Sequence, residues 1–430
     1  MTKTYLKNAT WAADGKAYDI CLGNRERATS VFIREVLVPN AVAATPAGEM
    51  EIPAGATDVR DLAGSGKVLL PALFDLHAKG EIPGCSKRES IIRTGRAAEQ
   101  GGVWGMVVMP TPGFRFDNTG TLDSFHDVAE QRSAVEMLPA GCISTGMKGE
   151  QLAPYKTLAS RSYDPIRILT DADHVPSNLL MLHRAMKYAS EFGMTFAIRG
   201  DVPVLTEKTY MHPSTTSYQL GLHGMPACAE EIGIETLIRL AKDAGAKLHI
   251  QTVSTAEGVR IIRRAKEDGL QVTAEAALHH LLYTHENVGD YDTNFKTLPP
   301  LRDAADREAL IAGVKDGTID CIVSDHTPCI PFAKKQDFIT APQGMVSLDI
   351  FLPLLYTKLV KPGLLDWSDI VRACSVNPAR IAGVEGGAPH TLVFDPAASF
   401  RVTEETLTCG TLNTPLLESE LCGCIIGHLC

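Results

Sequence analysis

Residues 67–80 read KVLLPALFDLHAKG, a long apolar run that ends in a histidine and a lysine. A run without polar alternation suits a strand covered on both faces, as in a parallel sheet flanked by helices. Further runs of this kind are GVWGMVVMP (102–110), VEMLPAGCIS (135–144), IRILT (166–170), MTFAIR (194–199), KLHIQTV (247–253), LQVTAEA (270–276) and IDCIVSD (319–325). Most lead into a helical pattern. In STAEGVRIIRRAKEDG (254–269), Ser254 and Glu257 have the spacing of a capping box. There Val259, Ile262 and Ala265 repeat at helical spacing, and Gly269 ends the helix. Buried strands alternating with helices over residues 67–384 predict an α/β fold, a (β/α)8 TIM-type barrel. An open doubly wound sheet fits less well, because no strand leads into a glycine-rich phosphate turn.

Outside that span the pattern changes. Residues 1–66 hold short apolar segments between turn residues, among them YDICLG, SVFIREVLVP and NAVAATPAGEMEIPAGA. Residues 385–430 return to short strands in TLVFDP, FRVTEE and ELCGCIIGH. Both ends together predict a small β-domain beside the barrel. The 430 residues carry 45% hydrophobic and 21% charged side chains, an ordinary globular balance. A formal net charge of −10 with no basic cluster argues against a nucleic-acid surface. No apolar run is long enough for a bilayer, and the N-terminal stretch lacks a signal-peptide pattern, so no membrane partner and a cytoplasmic location are expected. The 11 cysteines, odd in number and scattered, fit reduced thiols. Cys422, Cys424, His428 and Cys430 share one strand face in the C-terminal LCGCIIGHLC. Their spacing matches no common zinc pattern, so the segment reads as an apolar strand with small residues.

In a barrel the chemistry sits where the strands end. Those ends carry His77, Lys79 and Glu81; Thr111; Asp171; Arg199 and Asp201; Thr252; His279 and His280; and Asp325. His77 and Lys79 are two apart and so point the same way on a strand. His77, Asp171 and Asp325 could converge on a metal, but Lys79 and Arg199 would intrude, and a protonated Lys or Arg is no ligand. His279 and His280 are expected to pack behind the site.

Several stretches resemble the dihydroorotases of the amidohydrolase superfamily. NFKTLPPLRDAADREALIAGVKDGTIDCIVSDHTP (294–328) is similar to that family's signature, and PALFDLHAKGEIPG (71–84) to its Pro-Gly-x-x-Asp-x-His-x-His-x-Arg-x-Pro-Gly. GMPACAEEIGIETLIRLAKDAGAKLHIQTVSTAEG, SVNPAR and LNTPLLESELCG agree too, so the resemblance covers nearly the whole chain. It implies the same barrel with a β-domain from both ends. It also implies the reversible closure of carbamoyl-aspartate to dihydroorotate in pyrimidine synthesis, with zinc polarising the carbonyl and an Asp moving the proton.

Carried over by position, His77 keeps the first histidine of the His-x-His pair and Lys79 replaces the second. Asp171 falls at an acidic metal position. Arg199 and Thr252 stand where the fifth- and sixth-strand histidines belong, and His249 should face the other side of the strand from Thr252. Asp325 holds the proton-transfer position. In the substrate pocket, Glu81 replaces the carboxylate-gripping Arg, Thr111 and Leu298 replace two Asn residues, and Cys329 replaces a His. The backbone contact region APQG, with Pro342 and Gly344, survives. Lys79 and Arg199 would neutralise Asp325 and Asp171 in place of a metal.

Three readings follow. The first is a non-catalytic dihydroorotase-like subunit, with no cofactor, that assembles with aspartate carbamoyltransferase or with itself as a homo-oligomer. The second is a divergent cyclic amidohydrolase that keeps one zinc on His77, Asp171 and Asp325, with a cationic substrate group on Glu81. The third is a metal-free small-molecule binder in which Lys79, Arg199 and Glu81 read a zwitterion.

Overall fold

The computed structural model describes residues 4–22, 30–33, 36–39, 41–52, 58–80, 90–330, 332–384 and 387–429. Eight parallel strands lie where the apolar runs predict them: β1 (Leu73–Ala78), β2 (Val103–Val108), β3 (Glu136–Pro139), β4 (Ile168–Leu169), β5 (Thr195–Arg199), β6 (Lys247–Gln251), β7 (Val272–Ala277) and β8 (Cys321–Val323). β1 to β3 form one paired set and β4 to β8 another. Single parallel bridges join the sets, Gly141 to Leu169 on one side and Ala78 to His326 on the other. The second seam is reinforced by Asp75, whose carboxylate accepts from Ser324 N at 3.1 Å, from Ser324 Oγ and from His77 N at 3.2 Å.

The quoted run divides. Val68–Pro71 pairs with Thr4–Trp11 and with Thr391–Arg401 in a seven-stranded sheet built from both ends of the chain, and the chain passes into the barrel at Ala72. Strand alternation shares Val68–Pro71 between two cores: Leu69 packs with Leu6, Trp11 and Ile20, whereas Leu70 joins the barrel core. TLVFDP, read as a separate strand, continues to the first two residues of FRVTEE in one strand, Thr391–Arg401, whose pairing with Glu420–Leu429 shifts register twice; residues 402–405 lie outside it. Among the described residues no helix is long and apolar enough to cross a membrane.

The helix expected after β6 spans Ala256–Glu267 and buries Val259, Ile262 and Ala265. Its cap differs from the expectation. Thr255, not Ser254, accepts from Gly258 N. Ser254 is drawn instead to Glu230, whose carboxylate also takes Ser254 N and Thr255 N, each at 2.9 Å. A buried carboxylate is the stronger acceptor and claims the hydroxyl.

Candidate functional site at the barrel mouth

His77 leaves β1 pointing into the barrel, where its Nδ1 meets Glu275 Oε1 of β7 at 2.6 Å. The other oxygen of Glu275 takes His249 Nε2 of β6 at 3.0 Å, and His249 Nδ1 meets Thr273 Oγ1 at 2.8 Å. Burial alone would raise the Glu275 carboxyl. The two imidazoles outweigh it and bring the group down to about 2. Burial opposes protonation of His77, but Glu275 and then Asp325 raise it above its ordinary value. The result is a closed ion pair inside the barrel. His249 therefore faces the interior, one layer below the mouth. β6 ends at Gln251, and Thr252 follows it at φ +45°.

The two cations at the mouth do not pair as expected. Lys79 Nζ contacts both oxygens of Asp173, at 3.0 and 2.8 Å. Arg199 Nε meets Asp201 Oδ1 at 2.5 Å, and its NH2 reaches Asp201 Oδ2 at 3.3 Å and the Asp173 carbonyl at 3.1 Å. Asp171 faces elsewhere: its carboxylate accepts from Ile143 N at 2.9 Å, Ser144 N at 3.1 Å and Ser144 Oγ at 2.5 Å. Ala172, at φ +50°, turns the chain between the two aspartates, and Asp173 takes the cation side.

Asp325, also at a positive φ of 44°, stands between two histidines. His77 Nε2 lies 3.6 Å from one of its oxygens and His279 Nε2 lies 3.7 Å from the other. Burial raises the Asp325 carboxyl against the pull of His77 and Lys79. Burial likewise holds His279 well below its ordinary value, so that ring is neutral. Behind it, His280 Nε2 is 3.1 Å from the Pro299 carbonyl.

The zinc implied by the resemblance does not fit these residues. Catalytic zinc needs three converging protein ligands. Here Asp171 is bound by Ile143 and Ser144 in the segment after β3, two ligand positions carry ion-paired cations, and Thr252 offers a buried hydroxyl with no partner. Among the described residues no group of three or more His, Cys, Asp or Glu could hold a metal ion.

A cavity of about 400 Å³ opens above this network, and Leu298, Cys329, Pro342 and Gly344 line it together with Lys79, Asp173 and Asp325. A second, of about 360 Å³, shares Asp173 and Leu298 and adds Arg199 and Asp201. Thr111 lines neither; it is buried in a turn with Phe114. Glu81 lies outside the described residues.

Three residues of the site escaped the sequence reading. Glu275 had a signal, a carboxylate inside the apolar run LQVTAEA, which demands a buried partner. Asp173 had only its place beside Asp171. Asn413, in the LNTP stretch, had none. Its side chain receives Cys329 N at 3.1 Å and donates to the carbonyls of Thr327 and Gly344 at 3.0 and 3.3 Å, holding the loop after β8.

Barrel and end sheet together define the class. The structure superposes on dihydropyrimidinase from Brevibacillus agri NCHU1002 with a TM-score of 0.78 at 20% identity, covering 100% of this chain and 94% of that one. For L-hydantoinase (dihydropyrimidinase) from Arthrobacter aurescens the TM-score is 0.79 at 19% identity, with 100% and 95% covered. Residues 202–388 match the amidohydrolase family model, and residues 66–258 the model described as dihydro-orotase-like. The dihydroorotase of Leifsonia xyli subsp. xyli is 35% identical across 99% of this chain and 94% of its own length. That of Pelotomaculum thermopropionicum is 37% identical across 82% and 83%. The chain belongs to the dihydroorotase family, a family of pyrimidine biosynthesis.

Proposed function

We propose that this chain is a non-catalytic member of its family, a structural subunit that holds aspartate carbamoyltransferase in its assembly. The observation that supports this reading is the Lys79–Asp173 pair at 2.8 Å, flanked by Arg199–Asp201 at 2.5 Å, at positions where the resemblance puts metal ligands. Without a metal-bound hydroxide the mouth lacks a nucleophile for ring opening, and Asp325 has no proton to move from one. A barrel of this size, relieved of chemistry, still offers a large rigid surface.

The test has two arms. Purified, untagged protein incubated with zinc and desalted should carry under about a tenth of an equivalent of metal, as an incomplete ligand set requires. It should turn over neither carbamoyl-aspartate nor dihydroorotate. Mixed with aspartate carbamoyltransferase from the same organism, it should co-elute on size exclusion. A full equivalent of zinc with turnover would favour a divergent hydrolase. The open cavity of about 400 Å³, with Lys79, Asp173 and Asp325 on its wall, favours a second reading, a small ligand bearing both charges. A thermal-shift screen of zwitterionic metabolites tests that.

A further inference from the structure

We infer that Asp173 makes two buried cations do the structural work of a metal ion, as the centre of a charge chain Lys79–Asp173–Arg199–Asp201 that ties the ends of β1 and β5 to the loop after β4. A metal at a barrel mouth is a positive charge that several elements share. Here the sharing is inverted: one carboxylate is the common partner of cations from different strands. Asp173 binds Lys79 through both oxygens, at 3.0 and 2.8 Å, and lies 3.6 Å from Arg199 NH1. Its main-chain carbonyl takes Arg199 NH2 at 3.1 Å, so the loop grips the guanidinium by backbone and side chain. Asp201 closes the chain on the opposite edge of that guanidinium.

Burial makes the arrangement obligatory. Lys79, Arg199 and Asp201 are 7%, 6% and 4% exposed, whereas the Asp173 side chain is 49% exposed. Two ammonium-type charges taken out of water need a counter-charge close by. Asp173 supplies it from the rim, and the two cations outweigh its own burial and hold its carboxyl well below the usual carboxylate range. A divalent ion entering this mouth would meet Lys79 and Arg199 as like charges. The inference rests on the reading that positions 79 and 199 are not ligand positions in this chain, and it goes further by naming what replaces the ligands.

The experiment is a double-variant cycle in urea with Lys79→Met, Asp173→Asn and the pair together, each read with EDTA or with added zinc. Asp173→Asn should lower the unfolding midpoint most, since it strands Lys79. Lys79→Met with Asp173→Asn should recover most of that loss. A double variant that folds where Asp173→Asn alone does not is the same coupling. Asp173→Glu, which keeps the charge, should restore the midpoint, and neither EDTA nor zinc should move the parent protein. Additive single effects, or Glu as damaging as Asn, would overturn the inference and leave the non-catalytic reading standing. Turnover by the metal-free protein would overturn that reading and leave the cycle untouched. A midpoint that falls with EDTA would overturn both.

Discussion

Glu275 carries more of the interior than any residue named from the strand ends. It is fully buried and bonded to His77 and His249. Glu275→Gln leaves two buried imidazoles without their anion, and breaking such a pair costs roughly 3 kcal/mol or more. Chemical denaturation of the two proteins at pH 6 checks this. The pH dependence has a defined sign. Glu275, lowered from 4.5 to about 2, contributes stability that is complete above about pH 4.5 and is lost as the pH falls toward 2. His77, raised from 6.5, contributes stability that is complete below that value and is lost as the pH climbs through its elevated one. The urea-midpoint difference between the parent and Glu275→Gln should therefore be level between about pH 4.5 and 6.5 and shrink on either side. Lys79, Arg199, Asp201 and Asp325 were legible as residues at strand ends. Their pairing was not, because a positive φ at Ala172 decides which aspartate meets the cations.

Between elements, two contacts set the mouth. The β8 to β1 seam rests on one bridge and on Asp75, whose carboxyl is pushed by burial up to about 6 despite its bonds from Ser324 and His77. Ser324→Ala removes the hydroxyl donor from that fully buried carboxylate and should cost roughly 1–3 kcal/mol, seen as a lower urea midpoint. The second contact lies behind β5. Helix Ala227–Ala244 presses Gly233 against the backbone that follows Arg199, and a Cβ there would stand 2.1 Å from the Gly200 carbonyl oxygen. Gly233→Ala must push Gly200 and Asp201 away from the helix, an overpacking cost of about 1–3 kcal/mol. Thermal unfolding checks it, and a crystal structure should show the Arg199–Asp201 pair displaced. The strands themselves were legible because both faces are covered and the runs stay apolar. The division of the first run at Ala72 was not, since nothing local separates a strand of the end sheet from a barrel strand.

At the scale of the whole molecule, the C-terminal segment reaches back to the mouth through Asn413. Asn413→Ala strands an amide and two carbonyls, at roughly 1–3 kcal/mol in total once water reaches some of them. Amide exchange in the loop after β8, around Cys329 and Gly344, should speed up while that of β5 to β7 stays as it was. Uniform acceleration everywhere would mean that Asn413 supports global stability instead of this loop.

Periodicity alone determined that eight strands alternate with helices and that both ends make β-structure, because burial on two faces leaves a mark in nearly every barrel strand. It also showed which residues stand at the strand ends, and hence that cations occupy the mouth. Only the tertiary structure decided which carboxylate serves which cation, that His249 and Glu275 lie inside the barrel, and that the chain's far end clamps the site. Those choices turn on single left-handed residues and on partners far apart in sequence, and neither leaves a local pattern to read.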